Sequence, residues 1–187
     1  MGADFSRVRF NPLLDYAGVE LEQGRVLLDA DVNELMAIAD RGSRARTSDT
    51  LGRATVSSTT RDAFKITVAA GTLQIGKGRL YVDGLLAENH GAASTDPAKR
   101  VFDDLLGETS FADPVRYDAQ PYLPNAPALP AVGRHLVYLD VWDREVTYLE
   151  QPGLIESAVG VDTSSRLQTV WQVRVLAKDA GPGTTCG

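Results

Sequence analysis

The chain has 187 residues, of which 43% are hydrophobic and 24% are charged, and this composition excludes a disordered, collagen-like or low-complexity protein. Its net charge of −6 argues against binding to a nucleic acid backbone, because that affinity depends on an excess of Lys and Arg. The single cysteine, Cys186, excludes an intrachain disulfide, and since no apolar run is long enough to cross a bilayer, we expect a soluble protein without a membrane span.

The first strong signal along the chain is an N-terminal helix. Apolar residues recur there at the i, i+3, i+4, i+7 spacing of one helix face, which predicts that this face is buried. The residues of this face are Leu28, Val32, Leu35, Met36 and Ala39. Asp29 or Asp31 is the predicted N-cap. Because Gly42 weakens a helix by about 1 kcal/mol relative to Ala, the helix either ends near Gly42 or continues toward Leu51.

Residues 52–91 predict short antiparallel strands joined by close turns. Apolar residues alternate over 64–68, and shorter runs follow at 73–75, 80–82 and 85–86. Asp83-Gly84 is a strong hairpin signal. The glycine pair in residues 76–78 predicts a second hairpin turn, since this stretch lacks the frame of a phosphate-binding loop and leads into a strand rather than a helix.

Residues 92–133 predict a long proline-rich loop, because six of the nine prolines lie there and proline interrupts regular backbone pairing. Within it, residues 101–106 predict one short helix. An almost continuous apolar run at 135–142 is typical of a strand covered on both faces, and a polar turn is expected at 143–145. Clear alternation over 167–176 predicts a further strand.

These elements predict the fold class α+β, with a mostly antiparallel β-sheet, one N-terminal helix and a long proline-rich loop. We expect a single domain over residues 1–178 that includes the excursion at 92–133. Residues 179–187 are rich in Gly, Pro and Thr, which predicts a C-terminal tail or linker.

No motif in the sequence predicts a cofactor, a metal site or a catalytic centre. The run from Asp29 to Asn33 matches the first five positions of a calcium-binding loop, but the sixth position, which requires glycine, is Glu34. His90 and His135 have no potential ligand at metal-binding spacing. No nucleophile motif of a serine hydrolase occurs. We therefore expect a protein that is not an enzyme.

Two groups of residues are candidates for contact with a partner protein. Basic residues cluster in and after the predicted helix, either as a solvated helix end or as a docking patch for an acidic surface. Large aromatic residues on the later strands belong either to the core or to an interface, where Trp and Tyr often dominate binding. With the N-terminal segment, the candidate interface residues are Phe5, Arg7, Phe10, Arg41, Arg44, Arg46, Trp142, Tyr148 and Trp171.

Several stretches also resemble a known family. Residues 4–7 (Asp-Phe-Ser-Arg), 10–12 (Phe-Asn-Pro) and 23–34 (Gln-Gly-Arg-Val-Leu-Leu-Asp-Ala-Asp-Val-Asn-Glu) are similar to the opening of a family of uncharacterised bacterial proteins. Residues 81–89 (Tyr-Val-Asp-Gly-Leu-Leu-Ala-Glu-Asn) fit its middle portion, and residues 137–147 with 169–174 fit its central signature. One departure is Val32, where the family more often has tryptophan.

Members of that family are often encoded with contractile injection systems, which are phage tail-like particles. The resemblance implies a structural or assembly subunit of such a particle, at the baseplate, spike or fibre end. Implied partners are other particle subunits (baseplate, spike, tube or sheath) and further copies of the chain. It implies assembly in the cytoplasm, within a particle that is later released. The alternative is a carbohydrate- or cell-surface-binding module, or an enzyme, carried by such a particle.

Overall fold

The computed structural model describes residues 5, 7–69, 71–92, 113–131 and 133–176, and the backbone of two short strands at 101–103 and 108–110. These residues form one α-helix and several antiparallel strand pairings. The predicted class, α+β with mainly antiparallel strands and one N-terminal helix, is confirmed. The predicted tail at 179–187, which contains Cys186, lies outside the described residues.

The elements follow one another in a simple order. Helix α1 covers Asp29–Leu51, and short 3₁₀ turns lie at Pro12–Leu14, Tyr117–Ala119 and Pro152–Leu154. The strands are β1 Ala54–Val56, β2 Ile66–Ala69, β3 Thr72–Ile75, β4 Gly78–Val82, β5 Leu85–Asn89, β6 Val101–Asp103, β7 Glu108–Ser110, β8 Val115–Arg116, β9 Leu136–Val146, β10 Ile155–Glu156, β11 Val161–Asp162 and β12 Arg166–Leu176.

The chain divides into two compact units. The helical unit comprises Met1–Arg53 and Asp143–Gln168, and the strand unit comprises Ala54–Trp142 and Thr169–Gly187. Strands β9 and β12 pair with each other, and each contributes residues to both units. The single domain predicted over residues 1–178 stays a prediction.

The strand unit contains two three-stranded sheets, with the orders β1-β4-β5 and β2-β3-β8. The hairpin predicted at Asp83-Gly84 is confirmed, because β4 and β5 pair antiparallel across it with Val82 opposite Leu85. Both turn residues have positive φ, 46° and 81°, which is the requirement of the type I′ turn that matches the twist of a hairpin.

The hairpin predicted at residues 76–78 is wrong, because β3 and β4 belong to different sheets. Gly76 instead pairs with the preceding loop: its carbonyl accepts from the Phe64 amide at 2.8 Å, and its amide donates to the Lys65 carbonyl at 2.9 Å. A Cβ at Gly76 would lie 2.1 Å from the Asp62 carbonyl oxygen, so only glycine allows this close backbone approach. The two glycines therefore serve packing between chain segments.

Trp171 on β12 organises the core of the strand unit. Its side chain is 1% exposed, and its ring meets those of Phe64 and Tyr122 edge-on, at centroid distances of 5.0 and 6.2 Å. The indole Nε1 donates to the Glu88 carbonyl at 2.7 Å, so its only polar atom is satisfied. The buried residues of this core are Ala63, Phe64, Ile75, Ala87, Val115, Tyr117, Trp171 and Val173.

The later part of the proline-rich excursion is tied to this core by a buried amide side chain. Gln120 is 5% exposed, and its Nε2 donates to the carbonyls of Tyr117 and Val173 at 2.9 Å each. Its Oε1 accepts from the Val173 amide at 2.6 Å, which fixes the excursion to the backbone of β12. This part of the excursion is therefore anchored to the strand unit.

Three expectations about individual elements also need correction. Residues 101–103 form strand β6, antiparallel to β7, instead of the first turn of a short helix. No turn interrupts residues 143–145, because β9 continues to Val146. The N-cap of α1 is Leu28, without a side-chain cap, while Asp29 and Asp31 lie in the first turn, where their charge favours the positive end of the helix dipole. The helix continues through Gly42 to Leu51.

We expect Gly76→Ala to destabilise the protein by about 1–3 kcal/mol, because the new methyl group would overlap the Asp62 carbonyl oxygen and force the backbone to move. Gly18→Ala is the matched control, since nothing lies within 4 Å of its Cβ position. Urea unfolding of both variants measures the effect. Equal stabilities of the two variants would contradict the close approach at Gly76.

Candidate interaction surface

The helical unit has almost no apolar core of its own among the described residues. Its one buried hydrophobic residue is Ala30, which is 2% exposed. Most of the large hydrophobic side chains that lie on the surface belong to this unit: Phe5, Val8, Leu13, Leu14, Tyr16, Leu21, Val26, Leu27, Leu28, Val32, Leu35, Met36, Leu51, Tyr148, Leu149, Ile155, Val159, Val161 and Leu167. This concentration of exposed apolar side chains makes the helical unit the candidate interaction surface.

Helix α1 shows this most clearly, because its apolar face points outward. Val32 and Leu35 are each 41% exposed and Met36 is 63% exposed. The packed side is instead the one that carries Ala30, Glu34 and Ile38, which are buried or half-buried. The prediction of a buried face at Leu28, Val32, Leu35, Met36 and Ala39 is therefore wrong, and we call these five residues the outward face of α1.

The N-terminal segment lies against α1 and forms a groove with it. Arg9 is paired with Asp31 in the first helical turn. The Asn11 side chain accepts from the Leu13 amide at 3.0 Å and caps the 3₁₀ turn that follows. The groove has a volume of about 350 Å³ and is lined by Phe10, Asn11, Pro12, Asp15, Tyr16, Ala17, Ile38, Ala39, Arg41, Gly42 and Arg46.

Three of the predicted interface residues meet at this groove, which contains Phe10, Arg41 and Arg46. Arg44 does not line the groove: its guanidinium lies 3.8 Å from both Asp40 and Asp143. Long, partly exposed ion pairs of this kind contribute little to stability. Phe5 and Arg7 lie on the preceding segment and are exposed.

The predicted aromatic candidates separate into surface and core. Trp142 is 36% exposed and Tyr148 is 38% exposed, so both reach the surface. Trp171, at 1% exposed, belongs to the core described above, and its assignment to an interface is wrong. The physical reason is the alternation of β12, which directs Trp171 and Val173 to the same side, into the apolar cluster.

A second exposed group lies on strand β9 in the strand unit. Tyr138 and Trp142 are each 36% exposed and lie on the same side of the strand, with Asp140 between them. Four residues of a strand separate the two rings by about 13 Å along its axis. This group combines two aromatic faces and a carboxylate on one sheet surface.

Shifted pKa values occur in the strand unit, around the 3₁₀ turn at Tyr117–Ala119. The Arg116 side chain, bonded to Asp118 at 2.6 and 2.9 Å, holds the pKa of that exposed carboxyl below its usual range. Burial raises the pKa of the Tyr117 phenol. These shifts have structural causes, an ion pair and a core position, and neither group borders the groove.

Within the described ranges, no three His, Cys, Asp or Glu side chains are placed to hold a metal ion together. No helix in this part of the chain combines the length and apolar character needed to cross a bilayer.

The sequence interpretation missed the outward face of α1 and Tyr138. The helical spacing predicts burial of this face, although periodicity alone does not distinguish a core from an interface. For Tyr138, the signal was its period-2 spacing from Trp142, which places the two aromatic residues on the same side of β9.

The sequence model of a family of unknown function, DUF6519, matches residues 1–183. The chain therefore belongs to this family. Searches of curated proteins and of solved structures found no match.

The contrast between the two tryptophans can be tested by fluorescence. We expect Trp142→Phe to leave a protein whose remaining emission, from Trp171, is blue-shifted and resistant to acrylamide quenching, because that ring is buried. Trp171→Phe should leave a red-shifted emission that acrylamide quenches. Equal quenching of the two variants, with each shown to be folded by circular dichroism, would contradict the assignment.

Proposed function

We propose that this chain is a non-catalytic assembly subunit of a larger particle, and that its helical unit is completed by other protein chains. The observation that carries the proposal is the exposed apolar surface of that unit, set against the single buried alanine among its described hydrophobic residues. In the finer form of the proposal, the particle is a contractile phage tail-like injection system. The sequence resemblance described above supports that form.

The energetic argument concerns the cost of leaving this surface in water. Fully burying a Val, Leu or Met side chain contributes about 1.5–3 kcal/mol, and the total stability of a domain is only about 5–15 kcal/mol. Covering even a few of the exposed residues would therefore change the stability of the helical unit substantially. A partner that contacts α1 and the N-terminal segment would supply this burial.

The charges of the helical unit fit a protein partner. Arg41 and Arg46 lie at a groove whose apolar side chains include Phe10 and Tyr16. Arginine and aromatic residues are enriched at the centres of protein interfaces. We propose the same location that the resemblance implies, at the baseplate, spike or fibre end, with assembly in the cytoplasm before the particle is released.

The test of this function is co-sedimentation with assembled particles. A tagged chain expressed in a host that produces such particles should sediment with sheath, tube or baseplate proteins, identified by mass spectrometry. Leu13→Glu, at a side chain that is 86% exposed in the helical unit, should reduce co-sedimentation without lowering the temperature of unfolding. Val68→Glu, at a 75% exposed position of the strand unit, is the matched control and should co-sediment normally. A chain that remains an inert monomer outside the particle fraction would contradict the proposal.

A second candidate function is binding of carbohydrate at a cell surface. The observation that favours it is the pair of exposed rings on β9, Tyr138 and Trp142, with Asp140 between them. Aromatic faces provide apolar contact area, and a carboxylate between them can accept hydrogen bonds from hydroxyl groups. The proposed module would bind without a catalytic step.

Pull-down with insoluble peptidoglycan and a panel of polysaccharides tests this candidate. If it is correct, Tyr138→Ala and Trp142→Ala should each weaken binding by about tenfold or more, as expected for the central aromatic contacts of a site. Tyr148→Ala, which removes a similarly exposed ring from the helical unit, should leave binding unchanged. No binding by the wild-type chain would exclude this function.

A further inference from the structure

We propose that the outward face of α1 pairs with the same face of a second copy of this chain, with the two helices antiparallel. The proposal rests on the assembly function above and names one of the surfaces and its occupant. It follows from the order of large, small and charged residues along the helix.

The spacing along α1 is that of a helix-pairing seam. The positions 28 (the N-cap), 32, 35, 39, 42 and 46 alternate in steps of four and three residues, as the a and d positions of a two-stranded coiled coil do. The first four of these positions belong to the outward face, and 42 and 46 extend it toward the end of α1. All of these residues are exposed except Gly42, which is half-buried. The first half of the seam, at 28, 32 and 35, is exposed, and its second half, at 39, 42 and 46, lines the groove beside the N-terminal segment.

The sizes of the seam residues select the direction of pairing. The first three are Leu28, Val32 and Leu35, and the next three are Ala39, Gly42 and Arg46. In a parallel pair, large residues would meet large residues at one end, and small residues would leave a void at the other. An antiparallel pair, with its two-fold axis midway between positions 35 and 39, places Leu35 against Ala39 and Val32 against Gly42 of the second copy. A Cβ at Gly42 would have no neighbour within 4 Å, so there is room for this contact.

The charges select the same direction. Before Asp40, α1 carries Asp29, Asp31 and Glu34 and no basic residue, whereas from Asp40 onward it carries three basic residues, Arg41, Arg44 and Arg46, against Asp40 and Asp49. Antiparallel pairing brings Arg46 to the acidic first turn of the second copy, where Asp29 and Asp31 lie. Parallel pairing would place Arg46 beside its own counterpart. Because opposite charges flanking a seam favour one orientation and like charges oppose the other, the antiparallel pair is preferred.

Cysteine cross-linking of full-length protein tests the direction. In a Cys186→Ser background, one chain carries Leu35→Cys and another carries Ala39→Cys. After mixing and oxidation with diamide, we expect a disulfide-linked dimer that contains one chain of each kind, and at least fivefold less dimer when either chain is oxidised alone. If either chain oxidised alone gives as much disulfide-linked dimer as the mixture, the helices pair in parallel and the proposal is overturned. Absence of cross-linking in every sample would also overturn it.

Sedimentation equilibrium of the full-length chain tests the surface. We expect the wild-type protein to be a dimer, and Leu35→Glu to raise its dissociation constant at least tenfold. Asn33→Glu adds the same charge at an exposed position of α1 outside the seam and should leave the dimer intact. A Leu35→Glu variant that remains dimeric would overturn the proposal.

The outcomes also separate this proposal from the assembly function. A wild-type chain that is monomeric but co-sediments with particle proteins would overturn the helix pairing, and it would indicate that a different protein covers α1, with the assembly function intact. A wild-type dimer that is sensitive to Leu35→Glu but never joins a particle would support the pairing and contradict the assembly function.

Discussion

The structure depends on an uneven distribution of buried apolar surface. Hydrophobic burial is the main favourable term in folding, and in the described residues it is concentrated around Trp171 in the strand unit. The edge-on rings of Phe64 and Tyr122 and the bond from the indole to Glu88 hold this centre together. Among its described residues, the helical unit has ordered secondary structure but only one buried hydrophobic residue, an alanine. This difference is the physical basis for the proposed assembly function.

The same distribution explains how the two candidate functions relate to the fold. The proposed assembly surface lies on the helical unit, where many large hydrophobic side chains of α1 and the N-terminal segment are exposed. The aromatic pair on β9 lies on the strand unit, whose core fixes the strand and therefore the spacing of Tyr138 and Trp142. Each surface can be altered by substitution without touching the residues that form the other.

Much of the fold was accessible from the sequence, because it is specified by local signals. The type I′ turn at Asp83-Gly84 is encoded by two residues, and the alternation of β12 identifies the side that carries Trp171 and Val173. The course of the chain between β3 and β4, which belong to different sheets, could not be predicted from the sequence. The glycines at 76 and 78 predict a turn locally, whereas their role depends on the loop near Asp62, which is distant in sequence. Long-range packing of this kind leaves no periodic signal.

The candidate site was only partly predictable for a related reason. Basic side chains at positions 41 and 46 were recognised, and the structure places both at the groove with Phe10. The apolar spacing of α1 predicts one apolar face of the helix but not what covers it. The same spacing occurs whether the face packs on a sheet of its own chain or on another protein, so its assignment to the core does not follow from the sequence. Gln120, whose three hydrogen bonds attach the excursion to β12, has no sequence signal at all.

The division of the chain has a practical consequence for engineering. The helical unit is discontinuous in sequence, since it combines Met1–Arg53 with Asp143–Gln168, and two of its three chain junctions fall inside β9 and β12. A single proteolytic cut or a simple terminal deletion cannot excise it: removal of the first 53 residues leaves the remaining 26-residue insert behind. An isolated strand unit would require a short designed loop between Trp142 and Thr169, and the length of that loop would decide whether the shortened strands keep their register.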